Sequence, residues 1–139
     1  MRNLFLTTAV FSFAALGTGV AAAQPSDVAG TYDVKYEEVA NNCTNVGMAL
    51  GRGTLKITKT GATVSVDIER IPVMSGAVNK TKIKVASKPG PTSIAGLDGK
   101  FSLAGAVVES TVSFVFVAEY FSQNKALCTQ SWNISGVRK

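Results

Sequence analysis

Residues 111–121 have the sequence TVSFVFVAEYF, in which two kinds of position alternate. The even-numbered positions are all apolar or aromatic, from Val112 to Tyr120, whereas the odd-numbered positions include Thr111, Ser113 and Glu119. Side chains of a strand point alternately to its two faces, so a period of two predicts a strand with one buried face. An amphipathic helix would instead repeat its apolar residues every three or four positions.

The same alternation recurs on both sides of this stretch, and no segment shows a helical apolar stripe. The further predicted strands are 31–39, 54–58, 62–69, 80–85, 100–108 and 126–137. Two weaker candidates lie near residues 71–78 and 92–97. One apolar face and one polar face per strand is the pattern typical of antiparallel sheets.

Turn-forming residues separate the predicted strands. Thr60 and Gly61 lie between two of them, and Asp98-Gly99 is a typical hairpin-turn pair. The Lys-Pro-Gly-Pro segment at residues 88–91 should interrupt a ladder, because proline has no backbone donor. About eight strands with short connections predict an all-β, antiparallel, up-and-down barrel, with a β-sandwich as the alternative.

The N-terminus has the composition of an export signal. Arg2 precedes an apolar run at residues 4–16, and Ala21-Ala22-Ala23 forms a small-residue cleavage site. The run is shorter than the ~20 apolar residues of a spanning helix, which disfavours a membrane anchor. We therefore predict a signal peptide at residues 1–23 and one β-domain at residues 24–139. The mature protein would be secreted or periplasmic, without a transmembrane span.

The composition excludes several kinds of chemistry. The chain has no histidine and only two cysteines, so neither a histidine-based triad nor a cysteine-rich zinc module can form. Glu37 and Glu38 are adjacent on a predicted strand and should point to opposite faces. We therefore predict no enzyme, no cofactor and no metal site.

A basic stripe is the one concentration of charge. Lys80, Lys82 and Lys84 share a face of one predicted strand, and no aromatic residue lies between them. Stacking on single-stranded nucleic acid needs aromatic side chains, so no nucleic-acid partner is predicted. Lysines also protect strand edges and keep a surface soluble, and we interpret the stripe as a solvated face.

Export determines how Cys43 and Cys128 are interpreted. Two cysteines in an oxidising compartment most simply form one disulfide. The alternative is a reactive thiol pair, but the chain has no Cys-x-x-Cys motif. In an up-and-down barrel with an even number of strands, the first and last strands are antiparallel neighbours. Both cysteines then lie at one end of that pair, and Gly30 and Arg138 lie at the other.

Gly30-x-Tyr32 on the first strand and Arg138 after the last resemble the Gly-x-Trp motif and the late arginine of lipocalins and related calycin barrels. Tyrosine stands here where that family has tryptophan. The resemblance implies that Arg138 covers the ring of Tyr32 in a cation–π contact and closes that end of the barrel.

Two functions are consistent with such a barrel. An eight-stranded barrel is about wide enough to hold one small ligand, so the protein could be a lipocalin-like binding protein for a small apolar molecule. Its candidate ligand-binding residues are the predicted interior aromatics: Tyr32, Tyr36, Phe101, Phe114, Phe116 and Trp132. Alternatively, these side chains fill the barrel, and the protein is a secreted or periplasmic protein-binding module such as an enzyme inhibitor. Its contact loops would then be residues 41–48 and 73–79.

Overall fold

The computed structural model describes residues 27–139, which form nine strands and no helix. The strands are β1 (Gly30–Asn41), β2 (Arg52–Thr60), β3 (Thr63–Ile68), β4 (Met74–Asn79), β5 (Lys82–Ala86), β6 (Gly90–Pro91), β7 (Asp98–Val108), β8 (Thr111–Ser122) and β9 (Lys125–Arg138). The predicted all-β class is confirmed. The predicted signal peptide at residues 1–23 lies outside the described residues and stays a prediction.

All the strands pair antiparallel, and the pairings form a closed ring through eight of them. The ring runs from β1 through β2, β3, β4, β5, β7, β8 and β9 and returns to β1. The short strand β6 pairs with β7 outside this ring. The predicted antiparallel up-and-down order of about eight strands is confirmed, and we call the ring the closed sheet. The alternative of a two-sheet sandwich is not what the pairings show.

The ring closes between β1 and β9, where Tyr32 pairs with Arg138 and Tyr36 pairs with Ile134. The two backbones approach closely at Gly136. A Cβ atom at this position would lie 2.1 Å from the carbonyl oxygen of Asp33. Glycine is therefore the residue that lets the first and last strands meet.

Alternation sends one face of each strand into the interior of the closed sheet. On β8 the inward side chains are Val112, Phe114, Phe116, Ala118 and Tyr120, and all are buried. Aromatic rings of the neighbouring strands β7, β8 and β9 stack in the interior, with ring centroids 6.0 Å apart for Phe101 and Phe116 and 5.3 Å apart for Phe116 and Trp132. These contacts fill the middle of the closed sheet.

Several local predictions were wrong. Asp98 and Gly99 do not form a hairpin turn but begin β7, because Phe121 and Tyr120 of β8 pair with them. Residues 92–97 form a turn, in which the Thr92 hydroxyl accepts from the backbone N–H of Ile94. Pro91 takes part in a short strand because β6 has only one partner, which requires no donor on its outer side.

The weaker strand candidate near residues 71–78 is confirmed as strand β4 (Met74–Asn79), so the prediction of a contact loop at residues 73–79 was wrong. Met74 is its one buried residue, so the segment has little apolar alternation of its own. Pairing with both β3 and β5 makes it a strand. The strand predicted from residue 80 begins at Lys82, since Lys80 is in a turn with a φ of 59°.

The closed sheet has two ends of different character. At the disulfide end, β1 finishes and β9 begins, and this end carries the loops 42–51, 69–73 and 87–97. At the arginine end, β1 begins and β9 finishes, and the connections there are short turns. Longer loops are found only at the disulfide end of the described chain.

Candidate functional site

The arginine end is closed by the chain that precedes β1. The guanidinium carbon of Arg138 lies 5.2 Å from the centroid of the Tyr32 ring, which is the contact that the resemblance implies. Its two terminal nitrogens donate to the carbonyl oxygens of Ala29 (2.5 Å) and Asp27 (2.7 Å). The Tyr32 hydroxyl donates to the carbonyl of Val28 at 2.7 Å, and Val28 is buried. Residues 27–29 and the side chain of Arg138 therefore cover this end of the closed sheet.

A disulfide joins Cys43 to Cys128, with their Cα atoms 5.1 Å apart, and confirms the predicted pairing. Two hydrogen bonds lie beside it. The backbone N–H of Asn42 donates to the carbonyl of Thr129 at 3.2 Å, and the N–H of Thr129 donates to Oδ1 of Asn42 at 2.8 Å. The disulfide and these hydrogen bonds thus connect the first residues of the loop 42–51 to β9.

The side chain of Gln130 forms hydrogen bonds to the same loop at Met48. Its Oε1 accepts from the N–H of Met48 (3.0 Å) and from the hydroxyl of Tyr120 (3.1 Å). Its Nε2 donates to the carbonyl of Met48 (2.7 Å) and to Oε1 of Glu38 (2.7 Å). The side-chain amide of Gln130 therefore makes all four of its possible hydrogen bonds, two as acceptor and two as donor. Gly47 is required beside it, because a Cβ there would lie 2.9 Å from Oε1 of Gln130 and φ is +120°.

Between these loops lies a cavity of about 690 Å³ at the disulfide end. Its walls come from three segments, residues 47–54, residues 68–72, and residues 91–94 with Leu97. Three inward-facing strand residues, Tyr36, Phe101 and Tyr120, complete the lining from the interior of the closed sheet. The cavity is partly open to solvent.

Of the aromatic residues predicted to bind ligand, Tyr36 and Phe101 line this cavity. The other four are buried deeper in the interior and do not line it: Tyr32, Phe114, Phe116 and Trp132. Sequence reasoning missed the loop residues that form most of the lining. The signal that could have found them is apolar residues inside loops, namely Met48, Leu50, Ile94 and Leu97.

The lining combines apolar and polar surface, with the apolar share somewhat larger, and its charged side chains are exposed. Arg52, Glu69 and Arg70 are exposed lining residues, and no ion pair joins them in the described part of the chain. Burial raises the pKa of Tyr36 and of Tyr120 to about 12, so both hydroxyls are neutral at physiological pH. The arrangement suits an uncharged or amphiphilic molecule with its apolar part inside.

Three other features of residues 27–139 bear on function. No group of three or more histidine, cysteine, aspartate or glutamate side chains is placed to hold a metal ion. No helix there has the length and apolar character needed to cross a membrane. Lys80, Lys82 and Lys84 are all exposed on the outside, away from the cavity.

Comparison of the chain with protein-family models, with curated proteins and with solved structures finds no match. The resemblance to lipocalins therefore stays a prediction from Gly30, Tyr32 and Arg138.

Proposed function

We propose that this is an exported, lipocalin-like binding protein for a small apolar ligand. The observation that carries the proposal is the cavity of about 690 Å³ at the disulfide end, whose walls combine apolar side chains with polar groups. Small-molecule sites typically measure roughly 300–1,000 Å³ and combine apolar walls with a few polar groups. Tyr36 and Tyr120 would supply polar groups on the inner side, and the exposed arginines would supply them at the rim.

Preorganisation supports the same proposal. The loop 42–51 forms one wall and is held by the Cys43–Cys128 disulfide and by the Gln130 hydrogen bonds. A wall that is ordered before binding loses less conformational entropy when the ligand arrives. The closed sheet fixes the inner lining residues in the same way, since they stand on paired strands.

Export is supported by two features. Structural disulfides persist in oxidising compartments such as the periplasm or the extracellular space. The disulfide therefore agrees with the signal peptide predicted at residues 1–23, and we propose a secreted or periplasmic location. The proposed role is binding, without an enzymatic activity, a cofactor or a nucleic-acid partner.

The alternative, a protein-binding module such as an enzyme inhibitor, is favoured by one observation. Four large apolar side chains are exposed at the disulfide end: Val39, Val73, Ile94 and Leu127. A protein partner would cover these side chains and would close the mouth of the cavity. The predicted contact loop at residues 41–48 lies at the same end.

Ile94→Asp should weaken the binding of an apolar fluorescent probe, N-phenylnaphthylamine, about tenfold. Ile94 lines the cavity and is 40% exposed, so the substitution places a carboxylate on the cavity wall without opening the core. Val115→Asp is the matched control. Val115 is 48% exposed on the outside and does not line the cavity, so probe binding should be unchanged.

A fluorescence titration of the three proteins measures this effect. Equal weakening by both substitutions would indicate binding on the outer surface and would contradict the proposal. Absence of probe binding to the unmodified protein, together with a stoichiometric protein captured from the native periplasm or culture medium, would favour the alternative.

A further inference from the structure

Tyr36 differs from the other two tyrosines of the chain in its hydrogen bonding. The hydroxyl of Tyr32 donates to Val28, and that of Tyr120 donates to Gln130. The hydroxyl of Tyr36 is buried and has no partner among the described residues. The Tyr36 side chain is 7% exposed, and it lines the cavity.

An unpaired buried hydroxyl is unfavourable, because it has left water without gaining a protein partner. The indole Nε1 of Trp132 is also buried without a partner, but Trp132 does not line the cavity. Tyr36 is therefore the residue that combines an unpaired buried hydroxyl with a place in the cavity lining. Because the hydroxyl oxygen has almost no accessible surface, a ligand supplies the missing partner only if the Tyr36 side chain turns toward the cavity on binding.

The chemistry of a phenol decides which partner fits. Burial raises the pKa of Tyr36 to about 12, so the hydroxyl keeps its proton at physiological pH. A neutral phenol donates a hydrogen bond better than it accepts one, because its ring draws on the oxygen lone pair. The matching group on a ligand is a carbonyl, ester or carboxylate oxygen.

We propose that the ligand is an apolar molecule with a hydrogen-bond acceptor, and that the hydroxyl of Tyr36 donates to this acceptor inside the cavity. This inference depends on the proposed function. It makes Tyr36 the residue that distinguishes a carbonyl-bearing ligand from a hydrocarbon of the same shape.

Tyr36→Phe tests this by removing only the hydroxyl. The probes are butylbenzene and butyrophenone, which have the same carbon skeleton and differ by one carbonyl group. Each displaces N-phenylnaphthylamine, and its dissociation constant is measured on both proteins. We expect the variant to bind butyrophenone about 5–10-fold more weakly and butylbenzene equally well. The variant should unfold at the same or a higher denaturant concentration, because an unpaired polar atom is gone.

Tyr32→Phe is the control, since Tyr32 stands on the same strand and its hydroxyl bonds to Val28 at the arginine end. This variant should be less stable but should bind both probes as the unmodified protein does. Equal binding of butyrophenone by the Tyr36→Phe variant and the unmodified protein would overturn the inference and leave the proposed function intact. Failure of the unmodified protein to bind any of these molecules would overturn both.

Discussion

Replacing Cys43 and Cys128 together with alanine is expected to lower the free energy of unfolding by about 2–5 kcal/mol. The disulfide spans 85 positions, so its removal frees most of the unfolded chain from a covalent loop. The folded state also loses the link between the loop 42–51 and β9. Urea denaturation of the double variant against the oxidised protein measures the change.

Reduction of the unmodified protein under native conditions is the matched control, since it breaks the same bond without changing any side chain. Both treatments should lower the denaturation midpoint by similar amounts. Faster hydrogen exchange at the N–H of Met48 should accompany them, because this donor belongs to the wall that the disulfide holds. A loss of stability below about 1 kcal/mol would contradict the account of how this end is held.

Gln130→Leu is expected to lower the free energy of unfolding by roughly 2–4 kcal/mol. Leucine has a similar volume but satisfies none of the hydrogen bonds to Met48, Tyr120 and Glu38. The backbone groups of Met48 would be left half-buried and unpaired. The cavity wall should loosen, so the affinity for N-phenylnaphthylamine should fall as well.

Tyr120→Phe separates the parts of this network, because it removes one hydrogen bond and leaves both bonds to Met48. Its effect on stability should be about 1 kcal/mol, clearly below that of Gln130→Leu. Chemical denaturation of both variants provides the comparison. If Gln130→Leu were as stable as the unmodified protein, the network would not be what orders the loop.

The closed sheet could be predicted from the sequence because each strand with one buried face shows alternating apolar and polar residues. The alternation in residues 111–121 defines both faces of β8, and the two cysteines locate the disulfide end. The alternation in strand β4 is much weaker, since only Met74 of this strand is buried. Its pairing with β3 and β5 is a tertiary effect that local alternation does not contain.

The candidate site was predicted only in part, for a physical reason. Inward-facing aromatics such as Tyr36 and Phe116 look alike in a strand pattern, yet the first lines the cavity and the second stacks in the core. Whether such an aromatic residue lines the cavity depends on the conformation of the surrounding loops. The loop residues Met48 and Leu97 belong to no periodic pattern, so the pattern could not identify them as cavity walls.

Binding of an apolar ligand at the disulfide end of the closed sheet can be observed through intermolecular nuclear Overhauser effects between bound butyrophenone and the protein. We predict contacts from ligand protons to Leu97 and Phe101 in the cavity, and none to Val107 or Val112 near the arginine end. Contacts to Val107 and Val112, or to Val115 on the outer face, without contacts to Leu97 and Phe101 would contradict it.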